Sequence, residues 1–310
     1  MAEQTVKKRR YSWEKIKNQS FYQLMVWPGI ILMVIFNFIP MYGIIIAFKD
    51  YSVLGTISSA PWVGLEWFRE FLRDPMFYNV LKNTIGISFY KLIIGFPAAI
   101  ILAVLINEIV FIRMKKIVQT ISYLPHFLSW VILGGMFITW LSENGLVNNI
   151  LLDLNLIEQP IRFLTDPNKY WAIAVISDIW KEIGWNTILY IAAMTGINPA
   201  LYEAAKIDGA TKWDEIIHIT IPSIRHIIAL TLILSVGGLL GSNLDQTLVL
   251  QNPVNFQASE VINSYVYRMG IRLGDFSYAT AIGLFVSVIS LILIVLANFI
   301  TKKISDESVF

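Results

Sequence analysis

Long uninterrupted apolar runs dominate the chain. A helix that spans a membrane needs about 20 mostly apolar residues, and six stretches reach that length: 22–48, 84–106, 117–141, 170–197, 224–241 and 278–300. A β-barrel would instead alternate apolar and polar residues within strands of about 10 residues, whereas the run LIIGFPAAIILAVLI at 92–106 is continuous. The pattern predicts an all-α integral membrane protein with six transmembrane helices.

Composition supports this class. Of the 310 residues, 56% are hydrophobic and only 15% are charged, and the mean hydropathy is +0.61. These values lie outside the range of soluble globular domains. The chain has no cysteine, which excludes disulfides, thiolate metal sites and cysteine nucleophiles.

The distribution of basic residues predicts the orientation. The KKRR sequence at 7–10 precedes a first apolar run without a small-residue cleavage site, which is typical of a retained signal anchor. Basic residues near a membrane favour the cytoplasm, and with the N-terminus inside, 14 of the 24 Lys and Arg residues fall in inner segments. We therefore expect a cytoplasmic basic N-terminus at 1–20, a first transmembrane helix within 21–50 and a cytoplasmic tail at 302–310, with both termini inside.

A polar stretch, YEAAKIDGATKWDEIIHITIPS at 202–223, separates the fourth and fifth runs on the predicted cytoplasmic side. Asn198 and Pro199 are typical of a helix start, Gly209 is typical of a helix end, and Thr211 is typical of the cap of a second short helix. Composition alone leaves two interpretations open, a rigid handle for another protein or an amphipathic loop that lies on the membrane.

The spacing of this stretch resembles the cytoplasmic signature of the permease subunits of ATP-binding-cassette (ABC) importers. The signature reads EAA, three residues, Gly, nine residues and I-x-L-P, and here Ile221 replaces its Leu. The stretches YLPHFLSWVILGGMF at 123–137 and 248–287 look like the subgroup that imports complex oligosaccharides such as alginate. The resemblance implies a type I, maltose-like permease fold with a five-helix core at 79–301 and a coupling loop at 198–222.

In that family the stretch forms a coupling helix seated in a cleft of a separate ATPase subunit. The resemblance implies that Glu203 meets a basic residue there and that Gly209 forms the turn. The residues expected at this contact are Glu203, Ala204, Ala205, Asp208, Gly209, Ala210, Ile219 and Pro222.

The resemblance also implies the partners and the location. It implies a bacterial cell membrane, a second permease that forms a heterodimer with this chain, two ATPase subunits, and an extracytoplasmic solute-binding (lipo)protein received by the long outer loops. The expected ligands are an oligosaccharide and membrane lipid, with no nucleic acid.

Motifs for catalysis are absent from the sequence. None of the 18 glycines precedes a lysine, so the chain has no G-x-x-x-x-G-K-[ST] phosphate loop. It also lacks G-x-S-x-G and H-E-x-x-H. We expect no catalytic residue, metal or cofactor in this chain, and ATP and Mg²⁺ would be bound by the partner ATPase.

The fourth apolar run carries charged residues well inside its length. Each costs about 2.5 to 3.5 kcal/mol at the membrane centre, so such residues face a cavity or one another. Steps of four residues place four polar side chains on one helix face, with a lysine and an indole beside them: Asp178, Glu182, Asn186, Tyr190, Lys181 and Trp185. Hydroxyls and C–H faces of a sugar suit this mixture, which predicts a substrate path. An ion pair of Lys181 with Asp178 or Glu182 that merely locks helices is the alternative.

Two further groups are candidates for the path. Tyr123, His126 and Trp130 fall on one face of the third run at i, i+3 and i+7, with Pro125 expected to kink that helix. Ser235 and Asn243 are the first and last residues of the small-residue sequence SVGGLLGSN at the end of the fifth run. Close packing of helices is the alternative for this second group.

Two other function classes remain open from the residues alone. An ion-coupled secondary sugar transporter would use Asp178, Lys181 and Glu182 as a relay and would need no ATPase. A membrane-embedded hydrolase would use paired carboxylates and would degrade its substrate. Uptake without an ATPase would favour the first class, and breakdown of substrate would favour the second.

Overall fold

A computed structural model describes residues 19–241 and 243–305, with backbone alone at 303–305. Residues 1–18 of the basic N-terminus predicted at 1–20, and the last five residues of the predicted tail, lie outside this part. The described part of the chain is mostly helical and forms no strand, and Lys49 and Trp62 form an isolated antiparallel bridge. The all-α prediction is confirmed.

Each of the six apolar runs coincides with helix, and we call these segments the first to sixth spans. They are Ser20–Phe48, Pro75–Glu108, Ile112–Phe127 with Trp130–Trp140, Tyr170–Thr195, Arg225–Gly237 and Phe276–Ser305. Shorter helices connect them: Glu66–Phe71, Leu146–Asp153, Pro199–Ile207, Lys212–Ser223, Leu244–Leu250, Phe256–Ser259 and Ile262–Tyr267.

The third span is broken rather than kinked, which corrects the sequence-based expectation. Its two helices meet at an angle of 100°. Pro125 lies in the 3-10 turn Leu124–Phe127, and Ser129 begins the next helix by accepting a hydrogen bond from the Ile132 N–H. Proline removes a backbone donor and serine caps a new helix, so one helix ends and another starts. Tyr123, His126 and Trp130 therefore do not share the face of one continuous helix.

Three described helices are long and apolar enough to cross a membrane. The number rises to five when two bent pairs each count as one span, Ile112–Phe127 with Trp130–Trp140 and Lys212–Ser223 with Arg225–Gly237. The fourth span is the exception because it carries three charged residues, although its 26 residues extend about 39 Å. The first span is largely exposed, and only 6% of its most apolar stretch is buried. Apolar surface of this kind is stable in contact with lipid.

Small residues bring the spans into close contact. Ala99 and Ala103 of the second span are buried against the fourth span, next to Tyr190 and Ile191. A Cβ at Gly184 would overlap the carbonyl oxygen of Ser122, so the third and fourth spans touch through their backbones. Such small-residue contacts allow helices to pack in lipid, where burial of apolar side chains supplies little driving force.

Buried clusters hold the two ends of the bundle. At one end Phe71, Phe77, Tyr265 and Tyr278 pack together, and the Tyr265 hydroxyl donates to Asp74 at 2.6 Å. At the other end a second cluster lies below residues 198–222 and includes Met194 and Ile224. Between these clusters the second, fourth and fifth spans leave a cavity.

Candidate functional site

The cavity has a volume of about 630 Å³ and opens between the second, fourth and fifth spans. Apolar side chains such as Leu92, Phe96 and Ile179 form much of its wall. Its polar and aromatic lining residues include Ser88, Lys91, Asp178, Glu182, Trp185, Asn186, Tyr190, Thr231, Ser235 and Asn243. A partly polar cavity at membrane depth is the feature that a hydrated ligand requires.

The polar stripe of the fourth span faces this cavity. Asp178, Glu182, Asn186 and Tyr190 all line it, as their spacing of four residues requires on a helix. Tyr190 is 2% exposed, and its hydroxyl lies 2.8 Å from Thr231 Oγ1 of the fifth span. Tyr190 thus also joins two helices at the cavity wall.

Lys91 is a cavity residue that the sequence analysis missed. It lies in a π-helical turn, Lys91–Gly95, within the second span. Its Nζ is 3.1 Å from Asp178 Oδ1 and 2.8 Å from Gln246 Oε1. A lysine inside the apolar run 84–106 carries the same membrane cost as Asp178, so the rule that singled out the fourth span also points to Lys91.

Lys181 lies behind the cavity wall. Its side chain is 7% exposed, and its Nζ donates to the His126 carbonyl at 2.6 Å and lies 3.1 Å from Glu182 Oε1. The other Glu182 oxygen, Oε2, is 2.7 Å from His126 Nδ1. The alternative of an internal ion pair thus holds for Lys181 with Glu182, while Asp178 pairs with Lys91 instead. This cluster fastens the bend of the third span to the fourth.

Trp185 forms a rigid aromatic part of the wall. The His126 ring stacks on its indole with centroids 4.2 Å apart and an interplanar angle of 5°, and Phe127 meets it edge-on at 5.7 Å. The Trp185 side chain is 42% exposed. Because His126 is itself held by Glu182, the indole plane is positioned before any ligand arrives.

Of the remaining candidates, two line the cavity and two lie outside it. Ser235 and Asn243 line the cavity, while Tyr123 and Trp130 do not. Trp130 is 6% exposed, and within the described part of the chain its Nε1 has no hydrogen-bond partner. The fifth span ends at Gly237 rather than near 241. Asn243 instead caps Leu244–Leu250 by accepting from the Gln246 N–H.

The coupling segment, residues 198–222, has the predicted local structure. Asn198 accepts a hydrogen bond from the Ala200 N–H at 3.0 Å and begins the helix Pro199–Ile207. Gly209 follows with φ of +80°, a conformation that glycine adopts without steric cost. Thr211 and Asp214 form a reciprocal capping box at the next helix.

Much of the coupling segment is open to contact. Glu203, Ala204, Asp208, Gly209 and Pro222 are exposed. The other three residues expected at the ATPase contact, Ala205, Ala210 and Ile219, are half-buried.

One side-chain contact joins the two helices of the coupling segment to each other, and a second one joins the segment to the bundle. The Tyr202 hydroxyl lies 3.0 Å from Thr220 Oγ1. Lys212 Nζ lies 3.3 Å from Glu108 Oε2, at the end of the second span. The exposed helices are therefore fastened to their base.

Within residues 19–241 and 243–305, no three His, Asp or Glu side chains are placed to hold a metal ion. The cavity carboxylates of Asp178 and Glu182 are each paired with nitrogen groups of the protein.

Apolar helices around a polar cavity, with a capped helix pair exposed at one end, define a multi-pass membrane transport protein. Residues 95–306 match the family described as binding-protein-dependent transport system inner membrane component. The chain belongs to this family of ABC transporter permeases.

Two known proteins are similar to this chain over nearly its whole length. It is 39% identical to the polygalacturonan/rhamnogalacturonan transport system permease protein YteP of Bacillus subtilis, over 98% of this chain and 94% of that protein. It is 38% identical to protein LplB of the same organism, over 96% of this chain and 94% of LplB.

A solved structure is also similar to this chain. A chain in the crystal structure of a bacterial alginate ABC transporter, in complex with an alginate pentasaccharide-bound periplasmic protein, superposes with a TM-score of 0.87 and 38% identity, covering 96% of this chain and 99% of that one. The chain thus has the type I ABC importer permease fold and is a membrane transport subunit rather than an enzyme.

Proposed function

We propose that this chain is the permease subunit that passes a complex oligosaccharide from an extracytoplasmic binding protein to the cytoplasm, driven by ATP hydrolysis in a partner. The observation that carries the proposal is the lining of the cavity. Lys91, Asp178 and Asn186 offer hydrogen-bond donors and acceptors there, and Trp185 offers an aromatic plane. Sugars need both kinds of contact, and charge-assisted hydrogen bonds replace part of their hydration at membrane depth.

The similar proteins support a glycan as the substrate class. YteP is named for polygalacturonan and rhamnogalacturonan transport, and the alginate transporter was solved with an alginate pentasaccharide on its periplasmic protein. These two similarities cover 98% and 96% of this chain at 39% and 38% identity.

The proposed complex contains this chain, a second permease, two ATPase subunits and a binding (lipo)protein in a bacterial cell membrane. Both chain termini and the coupling segment face the cytoplasm. The coupling segment seats in the ATPase through Glu203, Ala204, Ala205, Asp208, Gly209, Ala210, Ile219 and Pro222, and ATP and Mg²⁺ bind in that partner. The binding protein docks on the long outer loops.

Transport then follows from a bundle with two arrangements. Closure of the ATPase dimer on ATP draws the two coupling segments together and opens the cavity outward, and hydrolysis resets it. The loaded binding protein favours the outward-open arrangement from the other side. Each ligand acts through its different affinity for the two arrangements.

Reconstitution in proteoliposomes tests this proposal. The complex is assembled with its second permease, ATPases and binding protein, and uptake of galacturonate, alginate and arabinose pentasaccharides is measured with ATP inside the compartment that holds the ATPase. We expect uptake of at least one glycan that requires ATP and the binding protein. Omission of either should abolish it, and uptake that persists without both contradicts the proposal.

The charged pairs in the cavity favour ion-coupled secondary transport as a second candidate. An ionophore that dissipates proton and sodium gradients separates the two functions. ATP-driven uptake should continue at its normal rate in the presence of the ionophore, whereas ion-coupled uptake should stop.

A further inference from the structure

The ion pair between Lys91 and Asp178 is only partly satisfied by the protein. An ammonium group carries three N–H donors, and Lys91 directs two of them to Asp178 and Gln246. Asp178 faces Lys91 with Oδ1, and because a carboxylate has two oxygens that each accept hydrogen bonds, Oδ2 can accept another one. The two side chains are 17% and 19% exposed and line the cavity. One donor and one acceptor thus remain side by side in its wall.

Neighbouring groups hold the Lys91 ammonium in place. Gln246 is 2% exposed, and its amide nitrogen donates to the Ala174 carbonyl at 2.7 Å and lies 2.9 Å from Ser177 Oγ. These contacts orient its oxygen toward Lys91. Because three separate helices supply the groups, the remaining donor and acceptor are preorganised, which lowers the entropy lost when a ligand binds.

The charges in the cavity wall and directly behind it are balanced. Lys91 pairs with Asp178, while Glu182 pairs with Lys181 and contacts His126. Among the described lining residues no cation stands in excess, so an anionic group gains little from this wall. A neutral hydroxyl suits it better, because it accepts from the Lys91 N–H and donates to Asp178 Oδ2. Both hydrogen bonds are charge-assisted, and neither charge loses its partner.

We propose that Lys91 and Asp178 form a subsite that binds neighbouring hydroxyl groups of the transported sugar. The subsite deepens the proposed function and rests on it. It implies that this wall recognises hydroxyls, and that the carboxylates of an acidic oligosaccharide are recognised by other parts of the transporter.

Paired substitutions separate a ligand subsite from an ion pair that only locks helices. The double variant K91M/D178L removes the donor and the acceptor together, and it strands no buried charge. The double variant K91Q/D178N keeps hydrogen-bonding groups without charge. Lys82→Met is the matched control, because Lys82 lies in the same helix but is exposed and outside the cavity.

Uptake is measured in the assembled transporter with the binding protein saturated by galacturonate pentasaccharide. We expect K91M/D178L to assemble and to lower uptake by about tenfold, which corresponds to ~1.4 kcal/mol. K91Q/D178N should stay within about threefold of the parent chain, a loss below 1.4 kcal/mol, and Lys82→Met should be unchanged. Normal uptake by K91M/D178L overturns the proposal, and so does loss of assembly in both double variants.

A second measurement depends on contact with the ligand. The pentasaccharide is supplied either O-acetylated, which blocks hydroxyls, or methyl-esterified, which blocks carboxylates. The parent transporter should reject the acetylated form and accept the ester, and K91M/D178L should lose this preference. A parent transporter that accepts the acetylated form and rejects the ester overturns the proposal. This comparison uses the parent transporter alone, so it holds even if K91M/D178L fails to assemble.

The outcomes distinguish this subsite from the proposed function. If the chain does not import oligosaccharides, the parent transporter shows no ATP-dependent uptake of any of the three pentasaccharides. If only the subsite is wrong, the parent transporter takes up the galacturonate pentasaccharide and K91M/D178L does so at the same rate.

Discussion

Lys212 Nζ lies 3.3 Å from Glu108 Oε2 and 2.7 Å from Glu215 Oε2. The ion pair with Glu108 joins the coupling segment to the end of the second span. The same span carries Lys91 about 25 Å further along the helix, in the cavity wall. A displacement of the coupling segment therefore acts on the span that supplies one half of the cavity ion pair.

Replacing Glu108 by Gln tests whether this contact transmits movement. Partly exposed ion pairs contribute about 0.2 to 1 kcal/mol, so the folded state should persist. We expect the amount of substrate transported per ATP hydrolysed to fall two- to threefold, because the coupling segment then moves partly without the second span. This decrease is smaller than the tenfold change that corresponds to ~1.4 kcal/mol. The ratio of uptake to ATPase rate in proteoliposomes is the measurement. Glu158→Gln, an exposed carboxylate in a loop, is the control, and an unchanged ratio in Glu108→Gln contradicts the prediction.

Gly209 tests the turn of the coupling segment. Its φ of +80° disfavours residues with a Cβ, although no atom lies within 4 Å of the position a Cβ would take. The cost is therefore conformational, about 1 kcal/mol or more for a β-branched residue. Gly209→Val should abolish stimulation of the ATPase by the loaded binding protein while the chain still inserts. Gly209→Asn should keep most of it, because Asn tolerates this conformation. Equal activity in the two variants would argue against a role for the turn.

Gly184 tests the contact between the third and fourth spans. Ala at this position would place its Cβ against the carbonyl oxygen of Ser122. Overpacking of this kind costs about 1 to 3 kcal/mol, so Gly184→Ala should lower the midpoint of thermal unfolding in detergent. Gly135→Ala is the matched control, since nothing lies within 4 Å of its Cβ. A midpoint in Gly184→Ala equal to that of the control would refute the close contact.

Trp185 tests the aromatic wall. Trp185→Ala should weaken the stimulation of ATP hydrolysis by loaded binding protein about fivefold, within the range of ~0.5 to 1.5 kcal/mol for an aromatic contact, and Trp185→Phe should keep most of it. Trp180→Ala is the control, because Trp180 lies on the same span, is also 42% exposed and does not line the cavity. Stimulation that falls equally in both alanine variants would assign the effect to general packing.

Structural features that depend only on residues close together in the sequence were predictable. The continuous run at 92–106 marks a span whichever helices surround it, because the membrane requires about 20 apolar residues. Asn198, Gly209 and Thr211 form the predicted caps, since each acts on backbone groups within a few residues. The stripe from Asp178 to Tyr190 reaches one cavity because helical periodicity alone aligns it.

The break in the third span was only half predictable. Pro125 marks the place, but Ser129 and Trp130 begin a new helix at 100° to the first one. The angle depends on what each half packs against. Gly184 receives the first half on the fourth span through Ser122, and Gly134 in the second half packs on Val249.

The amino-acid sequence by itself determined the spans, the caps and the polar stripe, because these follow from interactions within one helix or between one helix and lipid. Tertiary structure decided which charges pair. Lys91 reaches Gln246 across 155 residues, and His126 reaches Glu182 across 56. Partners at such separations are chosen by helix packing, since a buried charge is stable only beside the group that packing places against it. The pairing of charges in the cavity wall therefore depends on how the helices pack and could not be predicted from the sequence.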